Sequence, residues 1–117
     1  MGEISLMREF QHRAAVEVPD ARLFRRNVLF VKLEDRAIRA GIKGMCDLWA
    51  YVKGGYSIEI ETKALRGVLN ENQERWRDWC REWGVPWMLL KQGKKESPEF
   101  TVERWVTEFR ALVLRTG

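Results

Sequence analysis

"MCDLWAYVKGGYSIEIETK", residues 45–63, consists of two alternating runs joined at a glycine pair. In the first run Cys46, Leu48, Ala50 and Val52 fall on one side of a strand and Asp47, Trp49 and Tyr51 on the other, because successive strand side chains point to opposite faces. Gly54-Gly55 is a two-residue hairpin signal that returns the chain antiparallel. In the return run Tyr56, Ile58, Ile60 and Thr62 share one face, and Ser57, Glu59, Glu61 and Lys63 share the opposite one. The stretch predicts a β-hairpin that brings Asp47 close to the acids of the second strand.

The hairpin admits two readings. A strand with one wet face produces this alternation by itself, and a lysine beside two glutamates is an ordinary charge arrangement on a sheet. Alternatively, Asp47 and Glu61 form a carboxylate pair, which repels itself unless a cation sits between the two groups. An all-oxygen donor set favours Mg²⁺ or Mn²⁺ over zinc. Lys63, two residues past Glu61 on the same face, would add a fixed cation beside phosphoryl oxygens. Together these groups are the equipment for hydrolysing a phosphodiester.

Outward from the hairpin, residues 3–15 place Leu6, Phe10 and Ala14 at helical spacing, and Pro19-Asp20 ends that helix. "NVLFVKL" (27–33) reads as a strand and "EDRAIRAGIKG" (34–44) as a charged, glycine-punctuated loop. Asn70 can cap a helix with Gln73 completing a capping-box pair. In that helix Trp76, Trp79, Cys80 and Trp83 form a stripe read as core rather than as a nucleobase-stacking surface, and Gly84 stops it. "VPWMLLK" (85–91) follows as a strand, which implies a βαβ crossover and a mixed sheet. Thr101 is expected to cap a last helix with Val102, Trp105, Val106, Phe109, Leu112 and Val113 on its apolar face. The expected fold is α/β, a mixed central sheet flanked by helices in the order αβββαβα, forming one domain over residues 1–117.

The bulk numbers agree with a single folded domain. A chain of 117 residues, 45% of them apolar and 32% charged, can bury roughly two thirds of its unfolded surface. Lysine and arginine (21) exceed aspartate and glutamate (17), and the isoelectric point is near 9.3, so a polyanionic partner is plausible. Arg22, Arg25, Arg26, Lys32, Arg36, Arg39 and Lys43 stand against only Glu34 and Asp35, and a phosphate backbone would be drawn to that segment first; the bland alternative is a scatter of surface arginines. Cys46 and Cys80 form no CxxC pair, and with His12 as the single histidine no zinc-type ligand set can be assembled. "MGEISLMREFQHRAAV" lacks the apolar core of a signal peptide, and the expected location is the cytoplasm.

Asp47 followed fourteen positions later by Glu61-Thr62-Lys63 resembles the PD-(D/E)xK nuclease signature, with Cys46 where that motif often has proline. The flanks resemble the virus-type replication-repair nuclease (VRR-NUC) family of that superfamily. "AGIKGMCDLW" is similar to the glycine-rich approach to its aspartate strand. "ETKALRGVLNENQERW" follows its pattern of a lysine trailed by Gly67, Leu69 and Gln73 and leading into a tryptophan-containing helix. "LMREFQHRAA" and "LFRRN" look like its N-terminal helix, which carries a glutamate, and its Arg-Asn segment. The resemblance runs from about residue 6 to residue 91.

The resemblance implies a PD-(D/E)xK restriction-endonuclease-like core and a metal-dependent, structure-specific DNA endonuclease, Holliday-junction-resolvase-like, serving phage or bacterial replication and repair. Carried over by position, Glu9, Asp47 and Glu61 are metal ligands for Mg²⁺ or Mn²⁺, and Thr62 adds its backbone carbonyl. Lys63 is the catalytic cation, and Gln73 lies at the edge of the active site, a role compatible with its helix-start pairing. Arg22, Arg25, Arg26, Asn27, Arg36, Arg39 and Lys43, with Arg66 and Lys91 alongside, would hold the DNA backbone. Arg26 stands where family members often carry asparagine, and Glu59 is an additional acid to which the resemblance assigns no role. Branched DNA is best engaged by a twofold pair of domains, and Trp49 and Tyr51 are exterior candidates for a homodimer. The rival readings are a non-catalytic DNA-binding or assembly module of the same fold, and a restriction-type endonuclease.

Overall fold

The computed structural model describes residues 2–26 and 43–116, together with the backbone of residues 30–32 and 37–39. The elements are α1 (Glu3–Glu17), β1 (Ala21–Arg25), β2 (Phe30–Lys32), β3 (Ala37–Arg39), β4 (Leu48–Val52), β5 (Tyr56–Lys63), α2 (Glu71–Glu82), β6 (Trp87–Lys91) and α3 (Pro98–Thr116). Among the described residues the fold is α/β, with a mixed four-stranded sheet ordered β1-β4-β5-β6, a two-stranded sheet β2-β3 and three helices.

The hairpin supplies the two inner strands. β4 and β5 pair antiparallel from Leu48↔Ile60 to Val52↔Tyr56, so the turn is the three residues Lys53-Gly54-Gly55 rather than the expected two-residue glycine turn, with Gly54 and Gly55 (φ +102° and +91°) in a region that L side chains avoid. β1 adds antiparallel to β4, and β6 adds parallel to β5 after the α2 crossover. β5 therefore has a strand on either side.

One face of the sheet carries the core. Leu48, Ala50, Val52, Ile58, Ile60 and Leu90 meet Leu6, Phe10 and Ala14 of α1 and Val102, Trp105, Val106, Phe109 and Val113 of α3. Phe10 stands edge-on to both Trp105 and Phe109, with ring centroids 6.1 and 5.6 Å apart. Truncating such a fully buried aromatic costs about 3–5 kcal/mol. The helix over the second face is α2, whose Gln73 and Trp76 side chains reach the Glu61 and Glu59 carboxylates. Its start is the expected capping box, with Asn70 Oδ1 accepting from Gln73 N and Gln73 Oε1 accepting from Asn70 N.

Several expectations need correction. The order among the described residues is αβββββαβα, because "ARLFR" (21–25) forms a strand that pairs with β4 across five residue pairs. Of the strand expected at 27–33, residues 30–32 form β2, which pairs with β3 in a separate two-stranded sheet; residues 27–29 and 33 lie outside the described residues. β3 falls within the segment read as a loop. The α3 cap is Ser97, whose Oγ accepts from Phe100 N, while Thr101 lies inside the helix and is buried. The tryptophan stripe of α2 is not core. Cys80 is buried, but Trp79 and Trp83 are 42% and 69% exposed, and the three indoles stack on one another at 4.8 and 5.8 Å. Trp76 reaches over the sheet to Glu59, whereas Trp79 and Trp83, farther along α2, are left to stack outward on it and on each other.

Candidate active site

β5 has no wet face over its second half. Ile58, Glu59, Ile60, Glu61 and Thr62 are all buried, so both glutamates require partners. Each finds a different kind.

Glu59 is held by hydrogen bonds on both carboxylate oxygens. Arg26 donates from Nη1 to Oε1 at 2.8 Å and from Nη2 to Oε2 at 3.1 Å, and Trp76 Nε1 donates to Oε1 at 3.0 Å. Arg26 also donates to the Cys46 carbonyl at 3.0 Å and stacks over the Trp49 ring at 4.8 Å. Glu59 is thus a structural anchor, and Arg26, expected to bind DNA, has its guanidinium committed to it.

Glu61 sits at the opposite extreme. The β4–β5 register, continued one pair beyond Leu48↔Ile60, sets Asp47 across from Glu61. α1 begins at that end of the sheet, and Glu3 in its first turn completes a group in which one carboxylate oxygen from each of Glu3, Asp47 and Glu61 lies within 4.8 Å of the others. Lys63 Nζ is 4.0 Å from Glu61 Oε1, and Gln73 Nε2 donates to the same oxygen at 3.2 Å. Burial first, then the Asp47 charge, push Glu61 up to about 7, and Lys63 only partly offsets this. Burial likewise raises Glu3, and pushes the Cys46 thiol up so that it stays protonated.

Two glycines permit this packing. Gly44 has φ +87°, and a Cβ there would lie 2.1 Å from the Asn72 carbonyl oxygen and 2.8 Å from Gln73 N, so the approach to Asp47 runs directly against the first turn of α2. Gly67 lies against Lys63, where a Cβ would come within 3.0 Å of the lysine Cδ. The Lys63 side chain, 12% exposed, is held along this backbone.

The helix-borne acid at the cluster is Glu3, not Glu9. Glu3 lies on the same stripe of α1 as the buried Leu6, Met7, Phe10 and Ala14, whereas Glu9 falls off that stripe and is exposed, lining a hollow with Arg13, Pro98, Glu99 and Val102. The i, i+3, i+4, i+7 spacing that marks the inner face of α1 already includes Glu3. Thr62 is buried on the face of β5 opposite Glu61, and its Oγ1 has no hydrogen-bond partner among the described residues, so only its backbone can turn toward the carboxylates.

Of the expected DNA contacts, Arg25, Lys43 and Arg66 are exposed at the end of the sheet that holds Asp47 and Lys63. Arg22 pairs with Tyr51, roughly 13 Å along the strand from the Asp47 position. It lines a separate open cleft of about 840 Å³ with Arg8, Gln11, His12 and Lys53. Asn27, Arg36 and the Arg39 side chain lie outside the described residues. No helix is long and apolar enough to cross a membrane among the described residues. In comparisons with known proteins, no family model matches the chain and no curated protein matches it.

Proposed function

We propose that this protein is a divalent-metal-dependent DNA endonuclease of the PD-(D/E)xK superfamily, similar to the VRR-NUC nucleases. The observation that carries the reading is the meeting of three carboxylates, from α1, from the residue that leads into β4 and from β5, within 4.8 Å, with Lys63 beside Glu61.

The donor set fits a hard divalent cation. Three carboxylates facing one another, one of them pushed up to about 7 by burial and its neighbour's charge, are a site whose ionised form carries more negative charge than Lys63 alone offsets. Asp47 and Glu61 would hold Mg²⁺ or Mn²⁺, with Glu3 in the place expected of Glu9, and the Thr62 carbonyl as a backbone donor. When bound, such an ion supplies Lewis-acid polarisation of the phosphate and a lowered pKa for water.

The chain's own residues supply the rest. Lys63, pinned against Gly67, orients the attacking water and offsets charge on the phosphoryl oxygens. Gln73 fixes the rotamer of Glu61 by donating to Oε1. Arg25, Lys43 and Arg66 contact the DNA backbone at the same sheet end, so recognition follows nucleic-acid shape more than base identity. Branched DNA in phage or bacterial replication and repair is the proposed substrate, and a cytoplasmic location follows from it. A twofold dimer through Phe24, Trp49 and Tyr51 would present two sites to a junction; Tyr51 is 58% exposed and Phe24 stacks on Trp49 at 5.2 Å. Sedimentation at high micromolar concentration tests that dimer, and a monomer there rejects it.

Cleavage of four-way-junction, flap, nicked and linear DNA with Mg²⁺, Mn²⁺ or EDTA tests the reading. The expected result is metal-dependent cutting of branched DNA that Lys63→Ala abolishes while DNA affinity stays near wild type. Binding without cutting under any metal would instead make the protein a DNA-binding module of this fold.

A further inference from the structure

The connection from β6 to α3 is a tight turn with an unusual amount of structure around it. Gly93 O accepts from Glu96 N at 3.2 Å, so Lys94 and Lys95 occupy the two central positions of a β-turn, and both are exposed. The Glu96 side chain folds back into the turn. Its Oε1 accepts from Gly93 N at 2.5 Å, from Thr101 Oγ1 at 3.4 Å and from Arg104 Nη2 at 2.8 Å, and its Oε2 accepts from Arg104 Nε at 2.6 Å. Arg104 Nη2 also donates to the Lys91 carbonyl, so one guanidinium ties the end of β6 to the far side of the turn. A Cβ at Gly93 would come within 2.6 Å of Glu96 Oε1, so a side chain there would push the Glu96 carboxylate out of its place in the turn.

This clamp is joined to the candidate active site. Lys63 and Lys91 are register partners, and Gln92 N donates to the Lys63 carbonyl at 3.1 Å, carrying the β5–β6 ladder one step beyond the catalytic lysine. With about 4.8 Å between neighbouring strands and 3.8 Å per residue, the Lys94 Cα lies at most about 16 Å from that of Lys63. With a rise of about 3.4 Å per nucleotide along the helix axis, this is a span of at most about five nucleotides. The acid of the turn is neutralised by Arg104, and among the described residues neither Lys94 nor Lys95 is in an ion pair.

We infer that the Glu96–Arg104 clamp presents Lys94 and Lys95 as a preorganised pair of phosphate-binding cations beside the active site, reading the backbone of the nucleic acid a few nucleotides from the cut. A fixed turn loses less conformational freedom on binding than two lysines on a free loop, which is the advantage the clamp confers. The inference rests on the nuclease reading and adds a binding element to it.

The test is the salt dependence of binding to four-way-junction DNA in Ca²⁺, which occupies oxygen-donor sites and keeps the DNA intact for an equilibrium measurement. Each phosphate contact contributes about 0.9 to the slope of log K against log salt, so Lys94→Ala/Lys95→Ala should make the slope shallower by about 1.8. Lys53→Ala, at the hairpin tip on the opposite end of the sheet, should leave it unchanged. Wild-type binding with an unaltered slope in the double variant would overturn the role of the turn while leaving the nuclease reading standing. Failure of the wild-type protein to bind any DNA would overturn the nuclease reading itself, and this inference with it.

Discussion

Gln73 Nε2 donates to Glu61 Oε1 at 3.2 Å while the same residue completes both halves of the α2 capping box with Asn70. One side chain therefore starts a helix and orients a buried carboxylate. The two roles separate on mutation. Asn70→Ala and Gln73→Ala should each lower stability by about 1 kcal/mol through loss of the cap. Only Gln73→Ala should also reduce cleavage, by about tenfold, because only it releases Glu61. Thermal denaturation beside a cleavage assay checks this, and equal activity in the two variants would reject the second role.

Glu61 also makes a prediction about pH. Its folded pKa, about 7, lies above the ordinary 4.5, so between those values the native protein holds a proton that the unfolded chain has released. The metal-free protein should therefore be most stable near and below pH 4.5 as far as this group is concerned, and lose stability as pH rises from there through 7, by about 3 kcal/mol. Melting in EDTA from pH 5.5 to 8 should show the decline, Glu61→Gln should flatten it, and added Mn²⁺ should raise the melting temperature most at pH 8. A wild-type protein whose metal-free stability rises over that range contradicts the placement of Glu61.

Arg26 and Glu59 give a third. Removing one partner of a buried ion pair leaves the other uncompensated, so Arg26→Ala should cost about 3–5 kcal/mol. Replacing both, as in Arg26→Met/Glu59→Leu, should recover much of that loss. A phosphate-binding arginine would behave differently: Arg26→Ala would then weaken DNA binding and leave urea denaturation nearly unchanged.

The hairpin was legible because its alternation and its glycine pair specify two strands and a turn at once, and the Asn70–Gln73 start and the apolar face of α3 were legible for the same local reason. What lay beyond reading was set by neighbours in space. The alternation of Glu59 and Glu61 marks one face but not whether it is wet, and only the crossover that puts α2 over that face decides the matter. Likewise the spacing of Trp76, Trp79 and Trp83 defines a stripe, but its exposure depends on which of the three reaches over the sheet. Position along the chain favours Glu9, although the helical stripe through Leu6 and Phe10 includes Glu3. β1 was missed because five residues with two exposed arginines carry little periodic signal.

Gly44 tests how the site is supported. A Cβ placed 2.1 Å from the Asn72 carbonyl oxygen forces α2 away from the Asp47 approach, and the positive φ adds strain. Gly44→Ala should destabilise the fold by more than about 1 kcal/mol and reduce activity beyond what the stability loss explains, since Gln73 moves with the helix. Urea denaturation and cleavage by the folded fraction measure the two effects, and a variant with wild-type stability would contradict the contact.

In the proposed site Glu3, Asp47 and Glu61 hold one hard divalent cation beside Lys63. Anomalous diffraction from a crystal soaked in Mn²⁺ measures this most directly. The account predicts a peak at about 2.0–2.3 Å from carboxylate oxygens of Asp47 and Glu61, with Glu3 as direct or water-bridged partner. A soaked crystal with no peak among these three side chains, or with Mn²⁺ bound instead at Glu9, would contradict it.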